Sequence, residues 1–320
     1  MNNNLLPRDH QPGGLSYFDY QMKIAIYSKQ QFNGGYLFIH DIIAHLIEKG
    51  VDIIMFESFL LEYKKEYPDT IFNTFNSKED LISQQPIDYL FSLGGDGTFL
   101  DAANLIGESE IPILGINTGR IGFLTGINKT NFIESFALLE KKQFEIEERK
   151  LLSLSSDKPL PQKAVTYALN DITIHSPIES SIIAIHVWVD GEKVNTYWAD
   201  GLIIATPTGS TAYSLSCGGP IIVPSANVIL LTPIASHSLA VRPIVISADS
   251  TLKVVVESRN EQFSLSCDSQ QITIQNPIEL TIRKGNFAIK TVRFPSAKFF
   301  SVIREKLMWG IDIRNTLPPN

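Results

Sequence analysis

The sequence predicts an N-terminal α/β domain of Rossmann-like type followed by a β-rich, sandwich-like domain. Apolar strands alternate with helical segments up to residue 116, whereas the second half consists of short Ile-, Val- and Thr-rich runs with a period of two residues. A glycine-rich loop lies between a strand and a helix of the first half. With 320 residues, of which 44% are hydrophobic, the chain is long enough to bury the cores of two domains.

The first half has the pattern of a parallel sheet with connecting helices. Its predicted elements are strands at 23–27, 51–56, 87–93 and 113–116 and helices at 36–49 and 99–106. Because parallel sheets carry ligand sites at the carboxyl ends of their strands, the loops after residues 93 and 116 are expected to share one edge. We assign residues 22–146 to this domain. Residues 1–21, which are polar and lack periodicity, are expected to form a disordered extension.

The second half, residues 147–301, is predicted to be mostly antiparallel. In segment 183–189, Ile and Val alternate with Ala, His and Trp, and Asp190-Gly191 then favours a hairpin turn. Similar runs lie at 202–206, 244–247, 252–257, 263–266, 271–274, 278–283 and 287–294. His175 and His186 lie in such strands and are expected to have structural roles.

Composition excludes several classes of function. The net charge of −7 argues against nucleic acid as the main partner, because binding to its backbone requires a basic surface. Cys217 and Cys267 lie far apart without metal-type spacing, which favours reduced thiols and a cytoplasmic protein. The longest apolar candidate, 221–235, is interrupted by Pro224 and Pro233, so no membrane span is predicted. The N-terminus also lacks a signal-peptide pattern.

The loop Gly94-Gly95-Asp96-Gly97-Thr98 is the most informative short stretch. Its glycines allow a tight turn and a close approach of a ligand to the main chain, and the helix that follows offers its N-terminus to phosphate. Asp96 could then hold Mg²⁺ or accept a proton. The loop lacks the Gly-Lys-Ser/Thr ending of a P-loop, and Leu100 replaces the third glycine of a dinucleotide fingerprint. A plain tight turn with Asp96 as helix N-cap is the alternative.

A second stretch, residues 200–220, does not resemble ordinary sheet. A buried-type strand runs into a loop of small hydroxyl residues that contains Tyr213. Backbone N–H groups and hydroxyls suit the polar edges of a nucleoside, and the ring can stack on it. A helix cap with small residues chosen for packing is the alternative.

Taken together, these stretches resemble the NAD kinase family. Six blocks follow the family's order between residues 23 and 315, namely Gly94–Thr98, Asn117–Thr125, Asn170-Asp171, Asp200–Ser216, Thr232–Val245 and Cys267–Gln270. The resemblance implies ATP-dependent phosphorylation of the adenosine-ribose 2′-hydroxyl of NAD, with Mg²⁺, to give NADP by direct transfer. It also implies that 147–301 binds NAD, that the chain end 302–320 returns to the first domain, and that the protein forms homodimers or homotetramers.

The resemblance also implies roles for individual residues. Asp96 would be the general base, Gly97 would allow close backbone approach, and Asp200 would approach the nicotinamide. The adenosine and ribose would be held by Asn170 and Asp171, and the nucleoside pocket would be lined by Thr211, Ala212, Tyr213, Ser214 and Ser216. Gln270 would add a late contact, and His237 would lie near phosphates. No residue is assigned to the metal.

Two positions depart from the family pattern. Asp171 stands where the family usually has Glu, and Trp198 stands where many members have Arg, which leaves the choice between NAD and NADH open. Two other functions remain as alternatives. A lipid or sugar kinase would share the Gly-Gly-Asp-Gly loop but not the block around Tyr213, and a non-catalytic NAD sensor would not need Asp96.

Overall fold

The computed structural model describes residues 21–29, 36–119, 122–162, 164–176, 182–259, 261–296 and 298–309. The expected disordered extension lies outside these ranges except for Gln21, and so do residues 310–320 of the expected C-terminal return. Within the described ranges, no helix combines the length and the apolar content that crossing a bilayer requires.

The first half of the chain alternates strands and helices. Its elements are β1 (Lys23–Tyr27), α1 (Tyr36–Glu48), β2 (Asp52–Phe56), α2 (Glu57–Tyr63), β3 (Asn73–Phe75), α3 (Lys78–Ser83), β4 (Tyr89–Leu93), α4 (Asp96–Ile106), β5 (Ile113–Ile116) and α5 (Phe132–Glu140). The strands pair in parallel in the order β3-β2-β1-β4-β5, so the predicted parallel sheet is confirmed. The sequence did not predict α2, β3, α3 or α5.

Strand β1 shows why this sheet is buried on both faces. Ile24 and Ile26 pack with residues of α1 and α5, whereas Ala25 and Tyr27 pack on the other face with residues of α3 and α4. All four side chains are almost completely buried. A strand covered on both faces reads as a continuous apolar run, which is why the sequence pattern was clear here.

The second half is built almost entirely of strands. Its elements are β6 (Glu145–Ser156), β7 (Tyr167–Ala168), β8 (Asp171–His175), β9 (Ile183–Val189), β10 (Glu192–Ala199), β11 (Gly201–Ala205), a 3₁₀ turn (Thr208–Thr211), α6 (Tyr213–Ser216), β12 (Val228–Ile234), β13 (Ile244–Ser247), β14 (Leu252–Glu257), β15 (Gln262–Cys267), β16 (Gln270–Gln275), β17 (Glu279–Arg293) and α7 (Phe299–Leu307). The predicted hairpin joins β9 and β10, and its turn residues Asp190 and Gly191 have φ angles of 51° and 86°.

Two sheets pack face to face in this half, so the sandwich-like prediction is confirmed. One sheet has the strand order β13-β12-β11-β8-β15-β16, and the other begins β10-β9-β14-β17. Their shared core contains Ile174, Ile204 and Leu265 from the first sheet and Ile185 and Val254 from the second.

Strand β17 joins the two halves of the molecule. It pairs antiparallel with β6 and β14, and its Thr291 pairs in parallel with Ile113 of β5, so the second sheet continues into the parallel sheet. The sequence predicted two strands, 278–283 and 287–294, but the structure has one strand with an irregularity between Lys284 and Ala288. The boundary expected after residue 146 falls within β6, and the domain limits stay a prediction.

Helix α7 lies against the first half of the chain. Its Phe299 and Val302 line a cavity together with Leu114 of β5 and Phe123. The return of the whole chain end, 302–320, to the first domain stays a prediction.

Candidate active site

The glycine loop is a tight connection between β4 and α4. A side chain at Gly94 would collide with Thr98, so this position requires glycine. Gly95 and Gly97 differ, because a Cβ there would meet nothing within 4 Å, and the space over them is open to a ligand. Helix α4 begins at Asp96 with Gly95 as its N-cap. The alternative that made Asp96 the cap is therefore wrong, and the helix starts earlier than residue 99.

Asp96 joins this loop to the loop after β5. Its Oδ2 accepts the backbone N–H of Phe123 at 2.8 Å, and its Oδ1 accepts that of Leu124 at 3.0 Å and the Thr125 hydroxyl at 3.4 Å. Gly122 makes this contact possible, because a side chain there would overlap the Asp96 carboxylate. A carboxylate offers about four lone-pair directions, so these donors leave one of them open on Oδ2.

The Asn170-Asp171 pair is held in place by Asp268, a residue that the sequence analysis did not single out. The Asp268 carboxylate accepts the backbone N–H groups of Leu169, Asn170 and Asp171 at 2.8, 2.7 and 3.2 Å. It lies in the turn between β15 and β16 with a φ of 51°. A signal for it is present in the Cys-Asp-Ser-Gln block, where a carboxylate stands between two predicted strands, although the family resemblance assigned a role only to Gln270.

Asp171 begins β8 and is only 6% exposed. Its Oδ1 accepts the Thr173 hydroxyl at 2.8 Å. Burial raises the pKa of Asp171 from 3.8 to about 6, the hydrogen bond from Thr173 lowers it, and the charge of Asp268 raises it.

The hydroxyl-rich loop packs directly on this pair. The backbone N–H of Thr206 donates to the carbonyl of Asn170 at 2.9 Å, and a side chain at Gly209 would overlap the same carbonyl. The chain then forms the 3₁₀ turn and α6, which turn Tyr213 outward with 44% of its surface exposed. The alternative reading, in which the small residues of this loop serve packing, holds for part of the loop. The Tyr213 side chain remains accessible to a ligand.

These segments form a groove of about 320 Å³, which we call the Tyr213 groove. It is lined by Leu100, Asn170, Asp171, Thr173, His175, Ala212, Tyr213, Ser266, Asp268 and Ser269. Four residues of the predicted nucleoside site therefore come together, and His175, expected to be structural, lies beside them. His186 lies elsewhere and contacts the Thr196 hydroxyl at 2.9 Å.

Other predicted site residues lie at varying distances from the groove. Partial burial raises the pKa of the Tyr213 hydroxyl, and the charges of Cys217, Asp171 and Asp200 raise it further. Gln270 is exposed at the start of β16, and Ser216 is exposed at the end of α6. None of Asp200, Gln270 and Ser216 lines the groove as described.

Ser214, Thr211 and His237 are placed differently from the expectation. The Ser214 side chain is fully buried and its hydroxyl pairs with that of Thr232 at 2.8 Å, so it packs the loop and does not face the groove. Thr211 lines a separate cavity. His237 is exposed after β12, where its backbone N–H donates to the Trp198 carbonyl at 3.0 Å.

The separate cavity lies between the two halves, and we call it the interdomain cavity. Its walls include Phe123 and Leu124, whose N–H groups bind Asp96, together with Thr208 of the hydroxyl-rich loop. Glu147 also lines it, and the Glu147 carboxylate contacts Arg149 at 2.6 Å and Arg293 at 3.4 Å. The cavity therefore borders both the loop after β5 and the hydroxyl-rich loop.

Comparisons with known proteins agree with this geometry over most of the chain. The family model for the ATP-NAD kinase N-terminal domain matches residues 36–144, and that for the ATP-NAD kinase C-terminal domain matches residues 169–294. An NAD kinase of Flavobacterium psychrophilum is 40% identical over 297 residues, which cover 92% of this chain and 100% of the relative. An NAD kinase of Bacteroides fragilis is 48% identical over 227 residues, which cover 71% of this chain and 78% of the relative.

Solved structures show the same architecture. Yeast NADH kinase complexed with NADH matches with a TM-score of 0.81 and 26% identity, covering 93% of this chain and 90% of that one. An NAD kinase from Archaeoglobus fulgidus in complex with ATP matches with a TM-score of 0.67 and 29% identity, covering 90% of this chain and 99% of that one. From the two family models and the full-length relatives it follows that the chain belongs to the NAD kinase family.

Proposed function

We propose that this protein transfers the γ-phosphoryl group of ATP to the 2′-hydroxyl of the adenosine ribose of NAD and releases NADP and ADP. The observation that carries the proposal is the setting of Asp96. Its carboxylate is fixed by the N–H groups of Phe123 and Leu124, and among the described residues no donor takes the remaining lone pair of Oδ2, beside the open space over Gly95 and Gly97.

Asp96 acts as the general base in this scheme. Oδ2 takes the proton of the 2′-hydroxyl while the hydroxyl oxygen forms a bond to the γ-phosphorus and the bond from that phosphorus to ADP breaks. Phosphoryl transfer needs little covalent work from a protein, so an oriented base and a phosphate-binding backbone are sufficient. The N-terminus of α4 and the open backbone at Gly97 supply the phosphate-binding backbone.

The Tyr213 groove holds the nucleoside. Tyr213 stacks on the base, and the carboxylate of Asp171 accepts hydrogen bonds from ribose hydroxyls. Asn170 adds polar contacts from the same turn, and Asp200 lies toward the nicotinamide. Ser214 has a packing role, since its hydroxyl is occupied by Thr232.

The residues of this site suit an Mg²⁺ ion that binds together with ATP. Among the described residues, no three His, Cys, Asp or Glu side chains converge to hold a metal on their own. Mg²⁺ commonly takes one or two carboxylates and completes its shell with substrate phosphates and water. Because the open lone pair of Asp96 takes the proton, the ion would be held by the phosphates of ATP and by water, and it would neutralise charge on those phosphates.

We further propose that the protein works in the cytoplasm as a homodimer or homotetramer. Both Cys217 and Cys267 are free thiols, as expected, and free thiols suit a reducing compartment. The assembly state follows from the family resemblance alone and is measured directly by light scattering of the purified protein.

Product analysis tests the proposed activity. The protein is incubated with NAD, ATP and Mg²⁺, and NADP and ADP are quantified together. Equal amounts of the two products support the kinase. ADP without NADP would indicate another acceptor, such as a lipid or sugar, and binding of NAD without either product would indicate a sensor.

A further inference from the structure

Helix α7 presents a cation to the loop that holds Asp96. Phe299, Val302 and Lys306 are spaced three and four residues apart and therefore share one face of the helix. Phe299 and Val302 line the interdomain cavity, whose wall includes Phe123. Lys306 lies one turn further on, with Nζ 4.2 Å from the centre of the Phe123 ring.

The ammonium group of Lys306 and the Asp96 carboxylate both contact Phe123, and they form no salt bridge with each other. Phe123, the ring beneath the ammonium, donates its own backbone N–H to Asp96. Partial burial lowers the pKa of Lys306, and the negative charge of Asp96 raises it. In the part of the chain that the structure describes, Lys306 takes part in no salt bridge.

Two other cations of the described residues, Lys29 and Arg149, are already paired. Lys29 contacts Asp101 of α4 at 3.2 Å, and Arg149 contacts Glu147 at 2.6 Å. Lys306 is instead oriented by an aromatic ring, and a ring face leaves the three N–H donors of an ammonium free for a ligand. In the proposed reaction the neighbouring Asp96 carboxylate approaches a phosphate group. The ligand of the Lys306 ammonium is therefore expected to be an anion.

We propose that Lys306 binds the phosphates of the nucleotide donor and holds the transferring γ-phosphoryl group next to Asp96. The proposal rests on the proposed kinase function. During transfer, charge spreads over the equatorial oxygens of the phosphoryl group, and an ammonium placed there stabilises it. Lys306 keeps its proton throughout, because the 2′-hydroxyl proton goes to Asp96.

A purely structural role for Lys306 predicts different behaviour. In that case the side chain only covers the Phe123 ring, and its charge does not matter. Lys306→Met separates the two roles, because methionine keeps an unbranched apolar chain and a favourable contact with the ring but has no charge. Lys306→Arg keeps the charge. Arg304→Gln is the matched control, since Arg304 is an exposed cation on the same helix whose side chain hydrogen-bonds the Ser301 hydroxyl.

The experiment measures kcat/KM for ATP and for NAD in these variants, together with calorimetric binding of a non-hydrolysable ATP analogue. We expect Lys306→Met to lower kcat/KM for ATP and affinity for the analogue by about 10- to 100-fold, the worth of a hydrogen bond to a charged group. KM for NAD should stay near the wild-type value. Lys306→Arg should recover most of the loss, and Arg304→Gln should behave like wild type.

Two results would overturn the inference. One is a Lys306→Met variant with wild-type ATP kinetics and analogue affinity. The other is an equal loss toward both substrates with a lower melting temperature and no recovery in Lys306→Arg. In both cases the wild-type protein still forms NADP. A wild-type protein that forms no NADP would instead contradict the proposed function, and Lys306 would then be tested by binding of the ATP analogue alone.

Discussion

Oδ1 of Asp268 lies 2.7 Å from the backbone nitrogen of Asn170, a contact between residues 98 positions apart in the chain. Through it, the turn between β15 and β16 sets the conformation of the Asn170-Asp171 pair. Removing the carboxylate leaves three N–H groups without their acceptor, at about 1–3 kcal/mol for each one that stays buried. We therefore expect Asp268→Ala to raise KM for NAD at least 10-fold, with a smaller effect on KM for ATP.

Asp190→Ala is the control for this substitution. Asp190 also has a φ of 51° in a hairpin turn and also accepts a backbone N–H, that of Thr251 at 2.9 Å, but it lies away from the groove. Both variants lose a residue type that tolerates this backbone conformation. Equal effects of the two variants on KM for NAD would show that Asp268 does not position the Asn170-Asp171 pair for NAD binding.

Gly122 tests the orientation of Asp96 without altering Asp96 itself. The Cβ of alanine at this position would overlap the Asp96 carboxylate. Displacement of a reacting group by about 1 Å can lower a rate about 100-fold, so Gly122→Ala should lower kcat strongly. Gly119→Ala, in the same loop but with nothing within 4 Å of its Cβ, should leave kcat near wild type. A Gly122→Ala enzyme with normal kcat would mean that the carboxylate works in another position.

Asp171 should make stability depend on pH. Its pKa is about 6 in the folded protein against 3.8 in the unfolded chain, so between these values the folded state binds more protons and stability falls as pH rises. Above pH 6 the ionised group costs on the order of 2–3 kcal/mol. Urea unfolding of Asp171→Asn should therefore show a gain over wild type at pH 7 that vanishes near pH 4. A gain that is independent of pH would contradict the assignment.

The same carboxylate should be needed in its ionised form for NAD. We expect kcat/KM for NAD to fall below pH 6 in the wild type, because a protonated Asp171 accepts hydrogen bonds from the ribose less well. Asp171→Ala should cost about 1.5–3 kcal/mol in kcat/KM, and Asp171→Glu should retain measurable activity. Normal kinetics of the Ala variant would exclude Asp171 from the site.

Tyr213 should contribute through its ring. Tyr213→Ala should weaken NAD binding by about 1–3 kcal/mol, which is typical of stacking between a base and an aromatic side chain. Tyr213→Phe keeps the ring and should bind NAD nearly as well as wild type. Isothermal titration with NAD measures both, and an unchanged affinity of the Ala variant would show that the ring serves packing.

The sequence predicted the fold where one local pattern sufficed. Strands β1 and β4 are apolar except for Lys23 and Ser92, and both are buried on two faces. The prediction failed where tertiary pairing overrides a local signal: the sequence predicted separate strands at 278–283 and 287–294, yet β17 continues through residues 284–286, with an irregularity in its pairing with β6.

For the site, the sequence identified the residues whose chemistry is visible in a motif, such as Asp96 and Tyr213. It did not reveal contacts between distant segments. The bond from Phe123 to Asp96 spans 27 positions, and that from Leu169 to Asp268 spans 99. Ser214 shows a second limit of the sequence. Its hydroxyl was expected to line the nucleoside pocket, but in the fold it forms a hydrogen bond with the Thr232 hydroxyl.

The most direct test of the account is the rate of NADP formation by Asp96→Asn compared with wild type, at saturating NAD, ATP and Mg²⁺. The amide cannot accept the 2′-hydroxyl proton, so kcat should fall on the order of 10²–10⁴-fold, while NAD affinity and melting temperature change little. An Asp96→Asn protein that forms NADP at close to the wild-type rate would contradict general-base catalysis by Asp96.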